Sequence, residues 1–215
     1  MSENDNAPAD NNKPPEGQPP DNANTRPVVY SEQVHNESMG ARVSERVGQG
    51  VFCTGAIVQE GPDEFIIDFV QGLARPARLA SRVVVSQRVM SQFVAALREN
   101  LNKFQAAFGP PKEMPRPQTN QRPTVQEIYK DLKVSDEVLS GVYATAVMIS
   151  HSPGEFVFDF ITRFFPTAAV SARVYLSASQ VPRLLESTST SLQRYASRQP
   201  QRPQNPPPPP EPAPQ

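Results

Sequence analysis

Two aspartate–arginine couples are the residues best placed to do chemistry: Asp68 with Arg82, and Asp159 with Arg173. A carboxylate beside a guanidinium can form a ligand-binding ion pair. Here both couples recur among apolar residues, on neighbouring predicted strands, with no nucleophile or base beside them. The expected role is therefore structural, a cross-strand salt bridge or a loop-tethering carboxylate. Cys53 stands between Phe52 and Thr54 in a strand-like stretch and reads as a buried, inert thiol. His151 falls in the turn-like run Ser150-His151-Ser152-Pro153-Gly154 and reads as an exposed turn histidine. His35 sits in a polar leader. Two isolated histidines and one cysteine cannot supply a four-ligand zinc site. Neither a glycine-rich phosphate loop nor a Gly-x-Ser-x-Gly elbow is present. The residue inventory argues against an enzyme and implies no catalytic residues, no cofactor and no metal.

Arg75, Arg78, Arg82 and Arg88 gather in one stretch and form a candidate basic edge that could touch phosphate or an acidic partner. A solvated basic edge is the plainer reading. Weak nucleic-acid binding through it is the second hypothesis, one that retardation of DNA or RNA at low salt would reveal.

The elements that must position these residues are legible from pattern. Arg42-Val43-Ser44 could open a short strand before the Gly48-Gln49-Gly50 breaker. Val51–Gln59 reads as one strand, rich in β-branched and aromatic residues. Gly61-Pro62-Asp63 is a turn. The next strand, Glu64–Val70, alternates Phe65, Ile67 and Phe69 against Glu64, Ile66 and Asp68, which suits an antiparallel sheet with one face on the core. Leu79–Val85 is a further strand. Ser86 is placed to cap a helix over 87–107, whose Met90, Phe93, Val94, Leu97, Leu101 and Phe104 form a single apolar stripe. Gly109-Pro110-Pro111 ends it.

The whole pattern is then replayed. One offset of 91 residues, from Asp68 to Asp159, aligns Val43–Phe104 with Val134–Tyr195 without gaps, and about sixteen positions are identical. They include Gly50/Gly141, Thr54/Thr145, Pro62/Pro153, Glu64/Glu155, Phe65/Phe156, Asp68/Asp159, Phe69/Phe160, Arg82/Arg173 and Ser86/Ser177. The basic edge is not kept: Pro166, Ala169 and Ser179 stand where Arg75, Arg78 and Arg88 do. His151 faces Glu60, a poor match for a catalytic base. Two copies at so long a period mean tandem domains. Val125–Asp131 adds a helical turn or two ahead of the second copy. The second helix is weaker, with Thr188 in place of Leu97 and poor helix formers over Ser187–Ser191.

The flanks differ in kind. Of the 25 prolines, only Pro62, Pro76, Pro153, Pro166 and Pro182 fall inside the two copies. The expected layout is a disordered acidic leader (1–40), the first β-β-β-α copy (41–109), a Pro-rich linker (110–124), the second copy (125–198) and a disordered Pro-rich tail (199–215). Val28-Val29-Tyr30 is the leader's one apolar island, read here as coil with a short docking segment as the alternative. Pro206–Pro210 favours polyproline II. The lone cysteine, the absence of a signal pattern and the absence of a run of roughly 18 apolar residues suggest a soluble, cytoplasmic protein with no membrane contact.

With both copies laid out, the second resembles a bacterial domain-of-unknown-function family, number 3467. The likeness runs through Leu132-Lys133-Val134, Gly141-Val142-Tyr143-Ala144, Ser150-His151-Ser152-Pro153, Glu155-Phe156, Asp159-Phe160, Ala172-Arg173-Val174 and Leu176-Ser177. The first copy fits best at its end, through Leu97, Glu99-Asn100-Leu101 and Phe104 to Gly109. Together the copies cover about two thirds of the chain. Relatives typically carry Asn where Thr54 and Thr145 stand, and Pro where Gln87 and Ala178 stand. They are usually short single-domain proteins, so a fused pair is a departure. The resemblance implies no established activity.

The expected fold class is α+β: two tandem small domains, each an antiparallel three- or four-stranded sheet followed by one long helix, packed as a pseudo-dimer through intramolecular pairing of the repeats. A unit of about 65 residues is marginal alone, which is why the copies are expected to pair. The favoured function is a non-catalytic interaction or scaffold module with an unknown protein partner.

Overall fold

The computed structural model describes residues 30–33, 40–112, 114–115, 124–164 and 167–198. Most of the leader, the middle of the linker and the whole tail lie outside them. Within the leader, Tyr30–Gln33 is a strand, β1, where coil was the expected state.

The first copy opens with a single turn of helix, α1 (Glu45–Gly48), capped by the Ser44 hydroxyl, which accepts from the Val47 amide at 3.4 Å. The short strand foreseen at Arg42–Ser44 is reduced to one bridge between Arg42 and Ala169. There follow β2 (Val51–Cys53), β3 (Gly55–Glu60), β4 (Glu64–Gln71), β5 (Ala77–Ser86) and α2 (Gln87–Phe108). The second copy begins with α3 (Val125–Lys130), held by a capping box between Thr124 and Glu127. It continues with β6 (Leu132–Lys133), α4 (Asp136–Leu139), β7 (Val142–Ala144), β8 (Ala146–His151), β9 (Glu155–Phe164) and β10 (Thr167–Ser177). A 3-10 turn, Ala178–Gln180, leads into α5 (Val181–Arg198).

The molecule is α+β, with five α-helices among the described residues and two mixed sheets. Each copy contributes three antiparallel strands in sequence order, β3-β4-β5 and β8-β9-β10. The neighbour of the third strand is parallel, and it comes from the other copy. Val51–Cys53 runs beside Val174–Leu176, and Val142–Ala144 runs beside Val83–Val85. The two additions are counterparts under the 91-residue offset, so the copies exchange strands reciprocally. β6 also lies along β5, near its start, and β1 lies antiparallel on β8.

The exchange corrects the expectation of one continuous strand over Val51–Gln59 and of purely antiparallel sheets. The chain leaves one sheet and enters the other at Thr54, and again at Thr145. Thr54 donates its amide and its hydroxyl to the Val70 carbonyl at 2.8 and 3.2 Å, and its hydroxyl oxygen accepts from the Gly72 amide at 2.8 Å. Thr145 repeats this with Ile161 and Arg163. A β-branched residue whose hydroxyl both donates and accepts satisfies the backbone where the ladder breaks.

The main core cluster draws on both copies. Phe65, Ile67 and Phe69 of β4 and Phe156, Phe158 and Phe160 of β9 are all fully buried. The rings of Phe69 and Phe160 approach to 5.6 Å. Each helix lies over the other copy's strands. Phe93 of α2 meets Phe158 edge-on at 5.8 Å, and Phe104 meets Phe156 at 5.3 Å. Tyr195 of α5 reaches Phe65 at 5.2 Å. The poor helix formers of α5 survive because Thr188 and Ser191 are buried, with the Thr188 hydroxyl donating back to the Leu184 carbonyl at 2.8 Å. Tertiary packing outweighs propensity there. Among the described residues no helix is long and apolar enough to cross a membrane.

A shared core should melt as one unit. Phe158→Ala, which deletes a ring touching α2 and β4, is expected to lower stability by about 3–5 kcal/mol and to move a single transition in calorimetry. Two separate transitions, one of them unmoved, would contradict the shared core.

Candidate functional site

Asp68 and Arg82 stand directly opposite each other on β4 and β5, as Asp159 and Arg173 do on β9 and β10. Strand alternation sends Phe65, Ile67 and Phe69 into the core and puts Asp68 on the reverse face. There Asp68 is nevertheless fully buried, and Asp159 is 4% exposed. Each guanidinium forks onto its carboxylate through Nε and Nη2, at 2.8 and 2.8 Å in the first copy and 2.7 and 2.7 Å in the second. The remaining terminal nitrogen crosses between copies. Arg82 Nη1 donates to the Leu139 carbonyl at 2.8 Å, and Arg173 Nη1 to the Gly48 carbonyl at 3.4 Å. Gly48 and Leu139 are counterparts, each the last residue of a short helix whose final carbonyls lack intrahelical donors.

Glycine is required beside each clamp. Gly50 and Gly141 have φ of 65° and 72°, in the left-handed region. A methyl group at Gly141 would come within 2.6 Å of Arg82 Cγ, and one at Gly50 within 2.3 Å of the Tyr175 ring and 3.0 Å of Arg173 Cγ. Only a bare backbone lets the exchanged strand pass over the arginine. Between the two clamps lies a cavity of about 220 Å³ whose walls pair by the offset: Gly50 with Gly141, Arg82 with Arg173, Val47 with Val138, and, with opposite charge, Arg46 with Glu137.

Hydrogen bonds to the aspartates raise the pKa of both arginines, which stay cationic. Asp68 takes two further donors: Tyr129 of α3, from the other copy, donates its hydroxyl to Oδ2, and the amide of Gln59, from its own copy, donates to Tyr129 Oη at 2.7 Å and to Oδ2 at 3.5 Å. Both Asp68 oxygens are engaged. A group held this way is built to fix geometry, and it offers a reacting atom little access.

The other sequence candidates are dispersed. Arg75 is exposed and lines an open groove of about 920 Å³ with Lys130, Lys133, Glu127 and Asp131. Arg78 is exposed and donates to Gln71 Oε1 at 2.8 Å. Arg82 is committed to Asp68, and Arg88 is exposed on the first turn of α2. His35 lies outside the described residues. Cys53 is fully buried, and burial pushes its thiol pKa up to about 12. Among the described residues no group of His, Cys, Asp or Glu is arranged to hold a metal ion.

His151 is the clear correction. It is 1% exposed, because it closes β8 and faces the core beneath α2; it does not stand in the turn. The rings of Phe156, Phe104 and Phe108 surround it at 5.0, 5.8 and 6.3 Å. Burial lowers its pKa below the ordinary 6.5, and Lys103 adds to that. Its counterpart Glu60 faces α5 in the same way and pairs with Arg194 at 3.5 Å and with Arg198. The sequence showed Gly50/Gly141 as identities, yet their role and that of the helix-end carbonyls escaped it. A recurring glycine placed just ahead of a strand was the available signal.

A family described as "Protein of unknown function (DUF3467)" matches residues 8–113 and, again, 114–200. No curated protein and no solved structure matches the chain significantly.

Removing one member of a buried pair strands the other. Arg82→Gln is expected to destabilise by about 3–5 kcal/mol, while Asp68→Asn with Arg82→Gln together should cost less than the sum of the single changes. Unchanged melting temperatures for both single variants would refute the structural role. For His151 the folded-state pKa lies below the unfolded one, so the unfolded chain binds the proton more readily and stability falls as pH drops through about 6.5. His151→Leu should flatten the Tm-versus-pH curve between about pH 7.5 and 5.5, a window set by the ordinary histidine pKa. Parallel curves for the two proteins would remove His151 as the cause.

Proposed function

We propose that this chain, which belongs to the DUF3467 family of proteins of unknown function and carries its domain twice, is a fused pseudo-dimer that works as a non-catalytic protein-interaction or scaffold module. The observation that carries this reading is the use made of the recurring charged groups. Among the polar side chains the two copies share are Asp68, Arg82, Asp159 and Arg173, and each arginine ties its own sheet to the other copy's helix end. Shared polar groups committed to joining the copies support an architectural role. The reciprocal exchange of β2 and β7 supports the pseudo-dimer in the same way. The cytoplasmic location expected from the lone thiol belongs to this reading.

Nucleic-acid binding has less behind it. Arg82 is withdrawn from the basic edge, and Glu127 and Asp131 interrupt the cations around the groove that Arg75 lines.

Two measurements test the proposal. Residues 41–109 and 125–198 expressed apart should each be unfolded or self-associated, and mixing them should restore a one-to-one complex; two stable monomers would refute the pseudo-dimer. The full chain should form a stoichiometric complex with a partner protein that survives reconstitution from purified components. It should leave DNA and RNA unretarded at about 50 mM salt. Salt-sensitive retardation without a protein partner would reverse the preference.

A further inference from the structure

The two copies differ at one sheet edge. In the sheet of the second copy, the outer edge of β8 is covered by β1, antiparallel, with Tyr30 opposite His151, Ser31 opposite Ser150, Glu32 opposite Ile149 and Gln33 opposite Met148. The counterparts of those β8 residues in the first copy are Glu60, Gln59, Val58 and Ile57 of β3. Among the described residues, no strand pairs with the outer edge of β3. The difference is visible in burial as well: Val147, Ile149 and His151 are buried, whereas Ala56, Val58 and Glu60 are each only half-buried.

Continuing the 91-residue offset, the segment matching Tyr30–Gln33 is Gln121–Thr124. Pro123 has no N–H to give a neighbouring strand. The Thr124 amide already donates to Glu127 at 2.7 Å in the capping box that starts α3. This stretch is therefore ill suited to lie on β3 in the register that Tyr30–Gln33 adopts on β8. The edge itself carries little of the usual protection: Gly55-Ala56-Ile57-Val58-Gln59-Glu60 contains no proline and no lysine. Its one charge, Glu60, is held by Arg194 and Arg198, two cations against one anion, whose side chains are 65% and 62% exposed.

We infer that the outer edge of β3 is a docking site for an extended segment of a partner protein, added antiparallel as β1 is added to β8, with an acidic residue entering opposite Glu60. Backbone hydrogen bonds to the β3 ladder supply the affinity. The excess positive charge of Arg194 and Arg198 selects the acidic residue at the entering end. This rests on the interaction-module reading above and gives it a surface and a partner chemistry.

The probe is a fluorescent peptide with the sequence of residues 26–36, which carries the Tyr30–Gln33 strand, together with a version bearing Tyr30→Asp. Both are titrated into the full chain. The expected result is saturable binding, tighter for the Tyr30→Asp peptide, with amide shifts on the unmodified chain mapping to Gly55–Glu60. Ile57→Lys should weaken binding at least tenfold, and Met148→Lys, its counterpart on β8, should leave it unchanged. The shift mapping needs no variant, so a misfolded Ile57→Lys protein would not blunt the test. Absence of binding up to about 1 mM peptide, shifts that map to Ala146–His151, or sensitivity to Met148→Lys instead would each overturn the proposal. If the edge fails while the full chain still forms its reconstituted partner complex, the interaction reading stands and only this surface is wrong.

Discussion

A buried carboxylate needs compensating partners, and in this protein the compensation is arranged across the boundary between two copies. Asp68 and Asp159 face away from the phenylalanine core, yet the exchanged strands and short helices of the opposite copy close over them. Each aspartate takes the bidentate fork of one arginine, and the same arginine reaches a helix-end carbonyl in the other copy. Separating the copies would strand the carbonyls, open the strand pairing and uncover the apolar side chains of α2 and α5. Gly50 and Gly141 follow from this one constraint, because any side chain there would displace the arginine or its neighbour. The threonine crossovers follow too, since the chain must pass between sheets to reach the clamp.

Symmetry is kept in the arginine forks and relaxed around them. Position 60/151 faces the other copy's helix in both halves, but it holds a glutamate with two arginines on one side and a histidine among phenylalanines on the other. Arg46 and Glu137, counterparts of opposite charge, likewise both line the cavity between the clamps. A homodimer must place the same residue twice at every such position. A fused pair is free to make its halves complementary, and these positions show that freedom in use.

Much of this was legible in the residues. The period-two alternation of Glu64–Phe69, the Gly61-Pro62-Asp63 turn and the helical stripe from Met90 to Phe104 each mapped onto the element they implied. The single offset identified the duplication, in agreement with the two-segment family match. What pattern could not carry was topology. Val51–Gln59 has the composition of one strand throughout, and nothing in its side chains marks Thr54 as the point where it changes sheets. Strand exchange depends on pairing with residues distant in the chain, such as Val51 with Val174 and Val83 with Val142, and local propensity holds no record of that. His151 misled for a related reason. A histidine next to Ser-Pro-Gly reads as turn, and only the helix arriving from the other copy turns it into a core position.

The strand exchange also imposes an order of events on a chain that is made from one end. The first copy's β5 lacks the β7 beside it, and its α2 lacks the β8 and β9 surface that it covers, until the second copy has been synthesised. The stripe of Phe93, Leu97 and Phe104 therefore has no permanent cover while the ribosome is still adding those later residues. Reversing the order of the two copies in the gene would change which apolar surface waits, and for how long.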